Sequence, residues 1–294
     1  MSQLRVFAPL GGGAGDCWYD WLHDNQFRKI HPLVEQYDAS IRIYGQCHCR
    51  GTVADLMLYS PYIDEVIEEP WQAPSPELGA RWNSPDADGY IPISRDDLLY
   101  QAGVRHLNLK SPGIHTCGEE RALVHRLTAE RPCIVVQPYA GLSDRDAFNV
   151  QSLAQLAADI HRLDARARLL VIGKNHERGH KYNAELCLPG LPNVVNLIDE
   201  LGIRVAYTLV SMCDAFIGAH SNLIRAAWDH RRRTALVIPE PMMTNHMPKL
   251  DPKYTYGTRL PENRTFTFPF DHEVPRRFDL LDTEALAHFA LRGN

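Results

Sequence analysis

No run in this chain approaches the ~20 consecutive apolar residues that a membrane-spanning helix needs. The opening stretch MSQLRVFAPLGGG carries a single Arg and a short apolar segment that runs straight into glycines. It lacks the long apolar core and small-residue cleavage site of a secretion signal, so a buried strand is the better reading and a cytoplasmic location is expected. An excess of basic charge is also missing. The formal net charge is -5, which argues against a large nucleic-acid footprint, although Arg231–Arg232–Arg233 and Arg276–Arg277 leave a local basic groove open. Paired cysteine knuckles are lacking too. Of seven cysteines only Cys47 and Cys49 are close, flanking His48, and a structural zinc site wants four ligands. Buried thiols in a reducing compartment fit better, and no metal or other cofactor is expected.

What is present is a globular composition, 45% hydrophobic and 23% charged, over 294 residues, enough for two domains. The first part alternates strand and helix. Leu4 to Pro9 is a short apolar run that breaks at Gly11–Gly12–Gly13. Trp18 to Tyr37 has helical spacing interrupted at Pro32, Ser40 to Gly45 reads as a strand, Thr52 to Tyr59 as a short helix and Asp64 to Glu69 as a strand. Such β-α-β-α-β order builds a parallel sheet with right-handed crossovers. From Pro70 to Tyr90 the periodicity dissolves into a proline-rich stretch with Trp71, Trp82 and Tyr90, expected as a long loop. Helices follow over Ser94 to Ala102 and Glu119 to Ala129, with a strand at His106 to Leu109.

The alternation restarts near Glu130 and is more regular from there. Strands are expected at Cys133 to Pro138, Ala167 to Gly173, Asn193 to Ile198, Asp214 to His220 and, as the last clear one, Thr234 to Pro239. Helices are expected at Val150 to Leu163, Ile203 to Met212, Asn222 to Trp228 and Asp282 to Leu291. The fold class is therefore α/β, two doubly wound Rossmann-like domains facing a cleft. They divide at 1–130 and 131–294, and the terminal helix is a candidate to pack back on the first. Ligands in such sheets bind outside the carboxyl ends of the strands.

Several strand ends carry suitable chemistry. After the first strand come Gly13, Gly15 and Asp16, where glycines permit close backbone approach. Asp16 at a helix start serves equally as an N-cap or as a base aimed at the cleft. After the strand at 133–138 come Tyr139, Gly141, Ser143 and Arg145, a hydroxyl, a cation and backbone donors ahead of a helix, as a pyrophosphate requires or as an ordinary capped loop provides. Lys174 follows the next strand. His220, Ser221 and Asn222 open a helix in which Arg225 lies one turn along. That cation amid apolar neighbours needs a partner, either a phosphate or a carboxylate.

These residues resemble the ADP-heptose:lipopolysaccharide heptosyltransferase family, glycosyltransferase family 9, of GT-B fold. Gly15–Asp16 is similar to the family's Gly-Asp at the first helix, and Asp64–Glu65–Val66–Ile67 to its DEVI-type strand. Val136–Gln137–Pro138–Tyr139–Ala140–Gly141 loosely matches the turn opening its second domain. Gly218–Ala219–His220–Ser221–Asn222–Leu223–Ile224–Arg225–Ala226–Ala227 stands where the family's nucleotide helix reads G-N-D-S-G-P-M-H-L-A. His220, Asn222 and Arg225 replace the family's Asp, Gly and His, and Arg145 is the nearest cation to its expected Lys. The resemblance implies metal-independent, inverting transfer of a sugar from a nucleoside diphosphate to an acceptor hydroxyl, with Asp16 as base. It does not carry over the heptose or the lipid acceptor. A glycan, a small molecule or a modified nucleic acid would serve as acceptor, contacted by Trp71, Trp82 and Tyr90 or merely lidded by their loop. A sugar-nucleotide epimerase or hydrolase, or a non-catalytic binding module, fits the same fold.

Overall fold

The computed structural model describes residues 4–12, 39–47, 51–73, 75–92, 114–138, 148–173, 193–219, 221–239, 263–268 and 280–292. Two compact units divide at Cys117/Gly118. The division precedes the expected 130/131 because helix α3 (Gly118–Leu127, below) belongs with the second unit, held there by an ion pair.

The first unit is built on β1 (Arg5–Gly12), β2 (Ser40–Cys47), β3 (Glu65–Glu68) and β4 (Ile91–Pro92), with helices α1 (Thr52–Met57) and α2 (Pro76–Trp82). All pairings are parallel, in the order β3-β2-β1-β4. β1 and β2 pair over their whole length, Arg5 opposite Ser40 and Gly12 opposite Cys47. Strands buried on both sides read as continuous apolar runs, and Val6, Ala8, Leu10, Ile41 and Ile43 are all buried. α1 packs tightly on β2, because a Cβ on Gly45 would lie 2.7 Å from the Cβ of Val53. Its N-cap, Gly51, has no side chain to offer. The Glu68 carboxylate substitutes, accepting from the N–H of Gly51 and, at 2.9 Å, from that of Ala54.

The stretch Pro70–Tyr90 is not a continuous loop, because it contains α2. The start follows capping chemistry rather than apolar periodicity: Ser75 Oγ accepts from Leu78 N at 3.1 Å, Pro76 opens the first turn and Glu77 lies within it.

Among the described residues the second unit has six parallel strands: β5 (Cys133–Gln137), β6 (Arg168–Gly173), β7 (Val194–Ile198), β8 (Ala215–Gly218), β9 (Arg233–Pro239) and β10 (Asn263–Phe268). Their order is β10-β9-β8-β5-β6-β7. The expected strands are all present, and β10 is an addition. Its sequence NRTFTF alternates polar and apolar residues, as an edge strand with one wet face does.

The helices of this unit are α3 (Gly118–Leu127), α4 (Val150–Leu163), α5 (Ile203–Met212), α6 (Asn222–Asp229) and α7 (Thr283–Arg292). α4 begins with a capping box between Asn149 and Ser152 and buries Leu153, Leu156, Ala157 and Ile160, one helical stripe. That stripe, α7 and the inward residues of the strands (Ile134, Val136, Leu169, Val171, Ile217, Val237) form one apolar core. Residues of opposite parity, such as Val135, Leu170, Phe216 and Leu236, are equally buried, and α6 lies against β8 and β9. Helices therefore cover both faces. The terminal helix α7 packs on α4 within this unit, where Thr283 Oγ donates to the buried Asp159 carboxylate at 2.7 Å. α3 is tied to α5 by a bidentate pair, Arg204 Nε to Glu120 Oε2 at 3.0 Å with a second bond from Arg204 Nη2. Cys47, Cys133 and Cys213 are buried thiols, and burial pushes that of Cys133 up to about 11.

Candidate functional site

The order of strand addition switches sides in the second sheet between β5 and β8. From β5 the chain winds outward through β6 to β7, whereas β8, β9 and β10 lie on the other side. In open α/β sheets the crevice at the carboxyl ends of such a switch point is where ligands bind. Gln137 and Gly218 are the paired last residues of these strands.

Three local features shape this crevice. A Cβ on Gly218 would come within 2.9 Å of the Phe216 ring and 3.2 Å of the Gln137 carbonyl oxygen, so only glycine fits without displacement. The next amide, Ala219 N, donates to that same carbonyl at 3.3 Å. Ser221, the N-cap residue of α6, has extended backbone but does not cap the helix; its hydroxyl donates instead to the side-chain carbonyl of Gln137. Among the described residues no side chain caps the first-turn N–H groups of α6, and a positive helix end of this kind stabilises an anion. α6 is rigidly seated, with Leu223, Ile224, Ala226, Ala227 and Trp228 all buried.

Of the donor-side residues read from the sequence, Ser221 is placed at this crevice. Asn222 and Arg225 lie on α6, but their side chains fall outside the description. Tyr139, Gly141, Ser143, Arg145, Lys174 and His220 lie outside the described residues. Gln137, which the sequence does not single out, lies at this crevice as the partner of Ser221. Its only sequence signal was its place at the end of a buried strand, since its partner Ser221 stands 84 positions away.

The first sheet repeats the pattern. β1 is flanked by β2 and β4, so its carboxyl end at Gly12 also lies at a reversal. Gly13, Gly15 and Asp16 follow that end immediately and lie outside the described residues.

The three aromatic residues expected at the acceptor are placed individually. Trp71 is 43% exposed. Trp82 packs toward Tyr44 and Phe7, ring centroids 5.6 and 6.2 Å away, with the Arg81 guanidinium 4.8 Å from its own ring centre. Tyr90 sits at the opposite end of the sheet from Gly12. Its hydroxyl is 3.2 Å from that of Ser40, the first residue of β2, and its ring lies 4.0 Å from the Arg42 guanidinium. The ring and hydroxyl of Tyr90 are thus engaged by Arg42 and Ser40 at the strand starts.

Arg42 is the centre of this packing. Although 7% exposed, it bonds Glu65 at 2.7 Å, Asp86 at 2.9 Å and Asp88 at 2.7 Å. Asp86 Oδ2 also accepts from the Tyr44 hydroxyl at 2.8 Å, and Oδ1 from the amides of Asp88 and Tyr90. Burial opposes ionisation of Asp86, but the donors from Tyr90, Tyr44, Arg42 and Asp88 outweigh it and hold the carboxyl below its ordinary range. Nearer the carboxyl ends of the strands, Glu69 accepts from Arg81 and Gln46. Burial again opposes its ionisation, and these donors again depress its titration.

Among the described residues no group of three or more His, Cys, Asp or Glu is placed to hold a metal ion. No helix there is long and apolar enough to cross a membrane.

No family model matches the chain, and no curated protein matches it in sequence. Solved structures do. A family 9 glycosyl transferase from Veillonella parvula is similar over 99% of this chain and 98% of its own, with a TM-score of 0.59 at 11% identity. The E. coli heptosyltransferase WaaC, solved with ADP, is similar over 99% of this chain and 100% of its own, with a TM-score of 0.57 at 10% identity. E. coli ADP-heptose lipopolysaccharide heptosyltransferase II is similar over 89% and 90%, with a TM-score of 0.56 at 15% identity. At such identities the likeness is one of fold, and the fold is that of the GT-B glycosyltransferases.

Proposed function

We propose, from this shared fold, that the chain transfers a sugar from a nucleoside diphosphate to an acceptor hydroxyl. The observation that carries the reading is the crevice between β5 and β8, with its obligatory Gly218, its Gln137–Ser221 bond and an α6 end that Ser221 does not cap. A diphosphate accepts backbone donors there at no reorganisation cost. The structural neighbour WaaC, solved with ADP, fits a donor of this class.

In this reading Ser221, Asn222, His220 and Arg225 meet the diphosphate from α6, and Tyr139, Gly141, Ser143, Arg145 and Lys174 from the loops after β5 and β6. The acceptor hydroxyl attacks the anomeric carbon as the bond to the diphosphate oxygen breaks, which inverts the centre. Asp16, just beyond β1, takes the hydroxyl proton. A carboxylate suffices because that proton becomes acidic only as the new bond forms. Negative charge gathering on the diphosphate is met by Arg225, Arg145 and the helix end, in the role a divalent ion would otherwise play. Trp71 and Trp82 remain the acceptor-side aromatics, while Gly13 and Gly15 give the donor close backbone approach.

A thermal-shift panel of ADP, UDP, GDP and their sugars tests the donor crevice, since a ligand at 100 times its Kd stabilises by about 2.7 kcal/mol. No shift from any of them would sink the reading. Asp16→Asn should keep the shift and lose transfer; full turnover by that variant would return Asp16 to the role of a helix cap.

A further inference from the structure

Gln137 closes β5 and is 7% exposed. Alternate residues of a strand point the same way, so its side chain lies on the face of Val135, and the Ser221 hydroxyl at the start of α6 meets it there. A glutamine side chain offers one carbonyl oxygen and two N–H donors. Here the oxygen accepts from Ser221, which turns the nitrogen, on the other arm of the planar amide, away from Ser221.

Among the described residues that nitrogen has no hydrogen-bond partner. Nor is it one of the unpartnered polar atoms sealed from solvent, as both side-chain polar atoms of Asn193 are. It is an open donor pair on a side chain otherwise buried, at the carboxyl end of a strand beside the switch point. Buried polar groups are nearly always bonded, so a donor pair held in a fixed direction meets either water or a ligand.

The same bond limits what Ser221 can do. A hydroxyl carries one proton, and that of Ser221 is committed to Gln137 rather than to the first turn of α6. Ser221 therefore approaches an anion with its backbone N–H but not with its hydroxyl. The main-chain carbonyl of Gln137 is also in use, accepting from Ala219 N at 3.3 Å. The strand end is thereby held in place, leaving the side-chain nitrogen free.

We infer that Gln137 supplies the side-chain donor to the diphosphate, and that Ser221 is a positioning residue acting through it. The inference rests on the donor reading and sharpens it. An N–H pair beside a positive helix end favours a negatively charged group that only accepts, which a diphosphate is and a sugar hydroxyl is not. A diphosphate oxygen takes the place of water at the Gln137 nitrogen, while the oxygen of the same amide keeps the Ser221 proton.

Isothermal titration of the full chain with ADP, UDP and GDP, and then with the glucose conjugate of the tightest, tests this. Gln137→Met keeps the length of the side chain without its donor, and should weaken the diphosphate about tenfold or more, because a hydrogen bond to a charged group is lost. Gln137→Glu keeps an acceptor for Ser221 but sets a carboxylate against the diphosphate, and should weaken it further. Ser221→Ala should weaken it severalfold and Ser221→Thr restore it. Neither should change thermal melting of the free chain, since the Ser221 hydroxyl caps no helix N–H. Circular dichroism at the working temperature checks that each variant is folded. A diphosphate that binds both Gln137 variants as it binds the unaltered chain would overturn the inference and leave the donor reading standing, the open nitrogen being hydrated only. Loss confined to the glucose conjugate would overturn it too, since the contact would then be to the sugar. If none of the three diphosphates binds the unaltered chain, the donor reading falls and this inference with it.

Discussion

The two sheets are covered by opposite means. One face of the first is covered largely through charge: beside Trp82 on Tyr44 and Phe7, the 75–90 segment lies on β2 with Asp86 and Asp88 bonded to Arg42, Tyr90 against its guanidinium, and Arg81 bonded to Glu69. The matching layer of the second sheet is apolar, α4 and α7 closing over Ile134, Val136, Leu169, Ile217 and Val237. An apolar layer stabilises without regard to orientation, and its strength scales with the area removed from water. A charged layer stabilises only while every partner is in place, since one lost partner leaves a desolvated charge behind. The second sheet should therefore yield to lost volume, and the first to a lost charge.

The largest expected effect breaks the apolar side. Phe289 is buried on α7 with its ring edge-on to Phe266 at 5.7 Å. Phe289→Ala should cost about 3–5 kcal/mol in urea unfolding followed across the second unit, with little dependence on salt. Next comes the charged side. Arg42→Met keeps much of the side-chain volume but leaves the Asp86 charge without its cation, and should cost about 3 kcal/mol in the first unit. The lower end is expected because Glu65 and Asp88 are largely solvated and lose less. If Arg42→Met were neutral, the charged layer would be decoration on a sheet held by β1 and β2 alone.

The contrast also explains what could be read from sequence. Cys133–Gln137, Arg168–Gly173 and Arg233–Pro239 announce themselves as continuous β-branched and aliphatic runs, and α4 as a helical stripe, because apolar burial imposes a local period. The charged layer imposes none. Arg42 meets Asp86 across 44 positions, and nothing at either end marks the meeting. α2 shows no apolar period for the same reason, and only Ser75, Pro76 and Glu77 mark its start. β10 was missed because its alternation is that of an exposed edge. The donor crevice follows from strand order, which the alternation of elements implies, whereas the Gln137–Ser221 bond and the unpaired amide of Asn193 depend on packing of residues far apart in the chain.

A smaller effect sharpens the comparison from within the apolar layer. Asp159 is buried beneath α7, accepting from Thr283 Oγ at 2.7 Å and Gln155 Nε2 at 3.1 Å. Thr283→Val preserves shape but removes a donor to a charged group, and should cost about 2 kcal/mol by chemical denaturation. A neutral result would show that α7 is held by apolar contact alone.

The smallest expected effect is on pH, and it should separate the units without any substitution. Asp86 and Glu69 in the first unit both titrate below their ordinary range when folded. Unfolded, they would take up protons near about 3.9 and 4.3. A depressed folded value means that the stabilisation is fully present above those unfolded values. It is lost as pH falls through the folded ones, because the unfolded chain then binds more protons. In the second unit α4 and α7 are held mainly by apolar burial, which does not itself depend on pH. Hydrogen exchange read by peptide mass spectrometry from pH 5 down to 2.5, corrected for intrinsic rates, should therefore show residues 75–90 losing protection while residues 150–163 of α4 retain theirs. Loss of protection in both segments at the same pH would mean that the two coverings, for all their difference in chemistry, are coupled in a single cooperative transition.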